Sequence, residues 1–176
     1  MNEKIVLMLG GARSGKSRLA ERQAEQWLHS NLVSQLVYVA TAQVKDEEMA
    51  QRVKHHRVSR SEDWSVVEEP WSLPEVITDA DKNTCILVDC LTLWLTYGLC
   101  EQGVDAFLQQ KSALLTALEK SQARIILVSN EVGHGIVPLG ELSRVFVDQS
   151  GWLHQDIAQL ADRVEFIMAG CALRIK

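Results

Sequence analysis

The chain has 176 residues, 47% of them hydrophobic and 23% charged, with a formal net charge of −5. That length predicts one domain spanning 1–176, large enough to hide about 70% of its unfolded surface, and the composition excludes disordered, collagenous and fibrous classes. The charge is uneven: residues 1–60 carry ten Lys and Arg against six Asp and Glu, whereas residues 61–176 carry eight against seventeen. An acidic chain with a basic first third is not built to coat nucleic acid, which would need a long positive face; a local anion site is the economical reading.

In chain order, Ile5 to Leu9 is an apolar run closed by Gly10-Gly11, the pattern of a strand buried on both faces in a parallel sheet. Lys16 to His29, charged, Ala-rich and free of Gly and Pro, predicts a helix, and Leu36 to Ala40 a second strand. Asp46 to Arg60 predicts another helix, with Asp46, Glu47 and Glu48 in the first turn, where the helix dipole favours negative charge. Cys85 to Val88 and Arg124 to Ser129 read as strands. Leu91 to Leu99, Val104 to Lys120 and Leu142 to Ala161 read as helices, the last with a candidate break at Ser150-Gly151. Val164 to Ile175 reads as two strands joined at Gly170, a hairpin on the sheet edge. Strands alternating with helices imply βαβ units and a mostly parallel sheet.

No apolar run approaches the about 18 residues of a membrane span, and Met1-Asn2-Glu3-Lys4 does not flank a signal peptide. The four cysteines form no C-x-x-C pair, and three lie in or beside apolar runs, where a thiol is usually a small buried hydrophobe. A reduced, cytoplasmic protein is expected.

Gly10-Gly11-Ala12-Arg13-Ser14-Gly15-Lys16-Ser17 matches the phosphate-loop pattern G-x-x-x-x-G-K-[ST], between a predicted strand and a predicted helix. Small residues let backbone N–H groups approach a polyphosphate, and the helix starting there adds its positive end. Lys16 is expected to bridge the β- and γ-phosphates and the Ser17 hydroxyl to ligate Mg²⁺. The expected fold is therefore P-loop NTPase-like, a RecA-like three-layer α/β arrangement with a mostly parallel sheet and a C-terminal antiparallel hairpin. A second magnesium carboxylate is expected at a neighbouring strand end. Asp89, after four apolar residues, is the candidate; it also suits the N-cap of the Leu91 helix. No N-K-x-D segment reads guanine as a regulatory GTPase would, which leaves small-molecule phosphoryl or nucleotidyl transfer as the best generic class.

The predicted Asp46 to Arg60 helix carries His55-His56, with Lys54 ahead and Arg57 and Arg60 behind. At 3.6 residues per turn, Met49, Val53, His56 and Arg60 share one stripe and His55 falls on another. A histidine on an apolar stripe suits a core role. Cationic neighbours instead suit a triphosphate, and they lower the imidazole pKa toward the neutral, nucleophilic form.

These motifs occur with Tyr38-Val39-Ala40-Thr41-Ala42, Trp64 with Glu68-Glu69-Pro70, Val128-Ser129-Asn130-Glu131-Val132-Gly133 and Gly135-Ile136-Val137-Pro138. The ordered set resembles the bifunctional adenosylcobinamide kinase/adenosylcobinamide-phosphate guanylyltransferases of cobalamin biosynthesis over essentially the whole chain. The resemblance implies phosphorylation of adenosylcobinamide by ATP or GTP, then transfer of GMP from GTP to adenosylcobinamide-phosphate through a GMP-histidine. It places that histidine at His56, with His55 the alternative. It implies nucleotide contacts at Gly10 through Ser17, at Ala40, Thr41 and Ala42, at Arg57, Val58, Ser59 and Arg60, at Glu68 and at Asp89. Glu68 or Glu69 suits the sugar or the guanine N–H groups, or both are solvated turn residues before Pro70. Asn130-Glu131 is expected to border the corrinoid or the transferred phosphate, and His134 is assigned no role. Trimers are also implied, with Trp27, Trp64, Trp71, Trp94 and Trp152 as candidate contact residues. On this reading Arg13, Lys16, Lys54, Arg57 and Arg60 converge on one nucleotide's phosphates.

Overall fold

In chain order the strands are β1 (Ile5–Gly10), β2 (Gln35–Ala40), β3 (Trp64–Glu68), β4 (Thr84–Asp89), β5 (Arg124–Asn130), β6 (Arg163–Met168) and β7 (Cys171–Arg174). A computed structural model describes residues 3–42 and 63–176, so the expected Asp46 to Arg60 helix, with His55, His56 and the basic residues around them, lies outside the described residues. The helices are α1 (Lys16–His29), α2 (Leu73–Thr78), α3 (Leu91–Tyr97), α4 (Val104–Lys120) and α5 (Glu141–Leu160), with a π-helical segment at Gly98–Gln102.

The strands form one sheet in the order β3-β2-β4-β5-β1-β6-β7, parallel throughout except that β7 runs antiparallel to β6. Period-two alternation sends successive side chains to opposite faces. Val6, Met8, Leu87, Ile126 and Val128 pack with Ala20, Ala24 and Trp27 of α1 on one side. Leu7, Leu9, Val88, Ile125 and Leu127 pack with Leu73, Trp94, Phe107, Leu114 and Leu153 from α2–α5 on the other. All six residues of β1 are buried, as its unbroken apolar run requires of a central parallel strand.

Four details differ from the sequence reading. Helix α3 stops at Tyr97 and continues as the π-helical segment, where Gly98 lies so close to Phe107 and Trp71 that an added Cβ would come within 2.8 Å of both rings. Helix α5 is unbroken through Ser150-Gly151, because burial of Gln149, Ser150 and Leu153 outweighs the about 1 kcal/mol that one glycine costs a helix. Of the five tryptophans only Trp152 is exposed; Trp27, Trp64 and Trp94 are buried and Trp71 packs on the core, its carbonyl accepting from Trp94 Nε1 at 2.9 Å. Cys85 and Cys90 are buried, whereas Cys100 and Cys171 are exposed, the latter on the edge strand. No described helix is long and apolar enough to cross a membrane.

Candidate active site

The strand register decides where the chemistry gathers. Gly10 pairs with Asn130 across β1 and β5, Asp89 with Ala40 across β4 and β2, and Ala40 with Glu68 across β2 and β3. One row of strand termini thus runs from the phosphate loop to Glu68, four inter-strand spacings or about 19 Å. It lies at the C-terminal edge of the parallel strands, where ligands of open α/β sheets bind.

At the β1 end, chain geometry demands the glycines. Gly10 has φ +154°, and a Cβ there would overlap the carbonyl oxygen of Ile167. Gly15 opens α1 in the left-handed conformation at φ +100°. The loop is braced from outside by the β6–β7 hairpin, whose two turn residues, Ala169 and Gly170, both have positive φ, as a tight two-residue hairpin requires. Gly170 N–H donates to the Ser14 carbonyl at 2.8 Å.

Lys16 is 6% exposed. Its Nζ donates to the Gly11 carbonyl at 2.6 Å and to Asn130 Oδ1 at 2.8 Å, with Ser14 Oγ at 3.5 Å. Burial lowers its pKa from the ordinary lysine value, and the Asp89 carboxylate opposes that shift. The neighbouring Cys90 adds nothing near neutral pH, because burial and Asp89 push its thiol up to about 11. Lys16 is thus a desolvated ammonium, which acts on a phosphate more strongly than one in water.

Asp89 ends β4 and does not cap α3, whose N-cap is Cys90. Its Oδ2 accepts from Tyr38 Oη at 2.8 Å. A cis peptide joins Asp89 to Cys90, and the buried Thr41 hydroxyl clasps the Cys90 backbone, donating to its carbonyl at 2.7 Å and accepting from its N–H at 2.8 Å. Thr41 therefore shapes the strand end that carries Asp89, and Ala40 and Ala42 flank it in the same crossing. Ser17, partly buried, lies in the first turn of α1. No cluster of three or more His, Cys, Asp or Glu suited to a metal occurs among the described residues. The available donors, one hydroxyl and one carboxylate beside a phosphate loop, match Mg²⁺, which is bound through one or two protein oxygens, phosphates and water.

At the β3 end the two glutamates separate. Glu69 Oε1 accepts the N–H groups of Trp71 and Ser72 at 2.8 and 2.7 Å, so it organises the start of α2. Glu68 is exposed and terminates β3, a strand that sequence reading missed because four of its five residues are exposed. Arg13 is exposed in the loop, and His134 is an exposed residue whose ring lies 5.7 Å from that of Phe166.

Sequence reading also missed Asn130 as the partner of Lys16, Tyr38 as the partner of Asp89, and the polar residues behind them. The available signal was position: Asn130 follows an apolar strand just as Asp89 does. After Asn130 the chain exposes Ile136 at 98%, Val137 at 73% and Leu139 at 98%.

Residues 6–175 match the model of a family described as cobinamide kinase / cobinamide phosphate guanyltransferase. The chain belongs to that family. It is 50% identical over 171 residues to a Pseudomonas aeruginosa protein named bifunctional adenosylcobalamin biosynthesis protein CobP, covering 97% of this chain and 96% of that one. It is 37% identical to the Escherichia coli bifunctional adenosylcobalamin biosynthesis protein CobU, covering 98% and 99%. Among solved structures, an ATPase domain superposes with a TM-score of 0.55 at 17% identity, over 93% of this chain and 69% of that one, which shows the P-loop NTPase-like fold. The chain is thus an enzyme family member with the expected three-layer fold and terminal antiparallel hairpin.

Proposed function

We propose that this single domain performs both reactions of its family: phosphorylation of the aminopropanol hydroxyl of adenosylcobinamide by ATP or GTP, then transfer of GMP from GTP to the resulting phosphate. The observation that carries the reading is the buried Lys16, held between Gly11 and Asn130 and within electrostatic reach of the Asp89 carboxylate, in a chain that matches the family over residues 6–175.

In the first step the substrate hydroxyl oxygen attacks the γ-phosphorus, the bond from that phosphorus to the bridging oxygen breaks, the nucleoside diphosphate leaves, and the hydroxyl proton passes to solvent. The backbone of Gly10, Gly11, Ala12, Arg13, Ser14 and Gly15 cradles the phosphates. Lys16 then exchanges its bond to Gly11 for the β- and γ-oxygens, and its desolvated charge stabilises the leaving diphosphate. Ser17 and Asp89 would hold Mg²⁺, which when bound neutralises phosphate charge. In the second step an imidazole nitrogen of His56 attacks the α-phosphorus of GTP, a P–N bond forms and pyrophosphate departs. An oxygen of adenosylcobinamide-phosphate then displaces the histidine, giving adenosylcobinamide-GDP.

Arg57, Val58, Ser59 and Arg60 supply nucleotide contacts beside that histidine, Ala40, Thr41 and Ala42 border the nucleotide along the strand termini, and Glu68 accepts from sugar or base donors. The apolar residues 136, 137 and 139 suit the corrin ring. The reading also includes a cytoplasmic homotrimer with no nucleic-acid partner. Incubation with GTP labelled on the α-phosphate tests it: an acid-labile, alkali-stable adduct retained in His55→Ala and lost in His56→Ala is expected, and the absence of any adduct in the unaltered chain would sink it.

A further inference from the structure

A row of polar groups runs inward from Lys16 to helix α5. Asn130 Oδ1 accepts from Lys16 at 2.8 Å, and Asn130 backbone N–H donates to Thr92 Oγ1 at 2.8 Å. Thr92 Oγ1 lies 3.2 Å from Ser129 Oγ, which lies 2.7 Å from His154 Nε2. The opposite ring nitrogen of His154, Nδ1, is buried 3.4 Å from Glu131 Oε2, within ion-pair reach but without an aligned hydrogen bond. His154 is 6% exposed and Ser129 1%. Four elements meet in this row: α1, α3, β5 and α5.

Glu131 sets the polarity. A carboxylate facing Nδ1 favours the proton there, so Nε2 is the acceptor and Ser129 O–H donates to it. Ser129 Oγ is then free to accept from Thr92 O–H, whose own lone pair receives Asn130 N–H. With this assignment each hydroxyl donates once and accepts once, and the Asn130 main chain is fixed. Burial lowers the His154 pKa from its ordinary value, with Glu131 opposing, which agrees with a neutral ring at the end of the row. A buried polar row whose hydroxyls are each paired on both sides holds its members more rigidly than separate pairs would.

We propose that His154 is a positioning residue for phosphoryl transfer, holding Asn130 against Lys16 through Ser129 and Thr92. This rests on Lys16 acting on the transferred phosphate. Asn130 holds the ammonium at the strand end, and a small displacement of a group aimed at a transition state is expensive: misplacement by about 1 Å costs about a hundredfold. His154 is buried and reaches Lys16 only through Ser129, Thr92 and Asn130, so its effect should fall on turnover rather than on nucleotide binding.

The test exploits imidazole geometry. Gln places its amide where Nε2 stood and keeps the link to Ser129; Asn reaches only the Nδ1 position and breaks it. His154→Asn is expected to lower kcat for adenosylcobinamide phosphorylation about tenfold to a hundredfold with the KM for nucleotide changed less than about threefold. His154→Gln should recover most of that loss, and His154→Asn added to Asn130→Ala should cause no further loss. Equal activities of the Asn and Gln variants, or an additive double variant, would overturn the proposal. Should His154→Asn lack a cooperative thermal transition, Thr92→Val breaks the same row with conserved shape, and the same kcat loss and non-additivity are required of it. Lys16→Ala, assayed alongside, separates the two readings. Full phosphorylation by that variant overturns the role of the loop and the row with it, whereas its loss beside an unaffected His154→Asn overturns the row alone.

Discussion

At one end of the row of strand termini, Lys16 is 6% exposed, bonded to Gly11 and Asn130, and backed by polar residues that reach helix α5; at the other, Glu68 ends a strand in which only Trp64 is buried. The same sheet edge thus carries a desolvated, doubly bonded cation at one end and an open carboxylate at the other, which on the proposed function serve phosphates and nucleoside respectively. Phosphoryl transfer gains from fixed charge in a dry site, because the dipoles need not reorganise as charge moves. Recognition of a nucleoside needs only an accessible acceptor. The two ends should therefore respond differently to substitution, the first in turnover and the second in binding.

Lys16→Ala gives the largest expected effect, a fall of about a thousandfold in kcat for phosphorylation, measured with adenosylcobinamide and labelled ATP. Gly10→Ala comes next. Its Cβ would meet the Ile167 backbone, which cannot swing aside, so a loss of about 3 kcal/mol in stability is expected by urea denaturation, together with lost activity. Glu68→Gln should raise the KM for GTP in nucleotidyl transfer about tenfold and leave phosphorylation by ATP within about twofold; equal effects on both steps would erase the contrast between the two ends. The smallest effect concerns pH. The His154 pKa is lowered on folding by burial, so below its ordinary value of 6.5 the unfolded chain binds a proton that the native state resists, and stability falls as pH drops through that value. A urea midpoint that falls less steeply from about pH 7 to about pH 5 in His154→Gln than in the unaltered chain is the expected result.

The strand, turn and helix at the β1 end were legible in the sequence because their demands are local. A buried strand, small residues in the turn and a lysine opening a helix are consecutive, and Gly10 and Gly15 take the positive φ that such a turn needs. Asp89 was legible for the same reason, as one acid after four apolar residues. What supports those groups was not, because it comes from distant parts of the chain: Tyr38 reaches Asp89 across β2 and β4, and His154 reaches Ser129 from α5. Strand β3 escaped because an edge strand with exposed valines lacks the apolar run that betrays a central strand, and the candidate break in α5 misled because packing overrides one glycine. His56 and the basic residues near it stand outside the described residues, so their assignment rests on sequence.

The coupling of a phosphate loop to a nucleophilic histidine in one chain is checked most directly by supplying each step's substrate separately to Lys16→Ala and His56→Ala. His56→Ala is expected to phosphorylate adenosylcobinamide still, yet to form no adenosylcobinamide-GDP from adenosylcobinamide-phosphate and GTP. Formation of adenosylcobinamide-GDP by His56→Ala at the rate of the unaltered chain would contradict it.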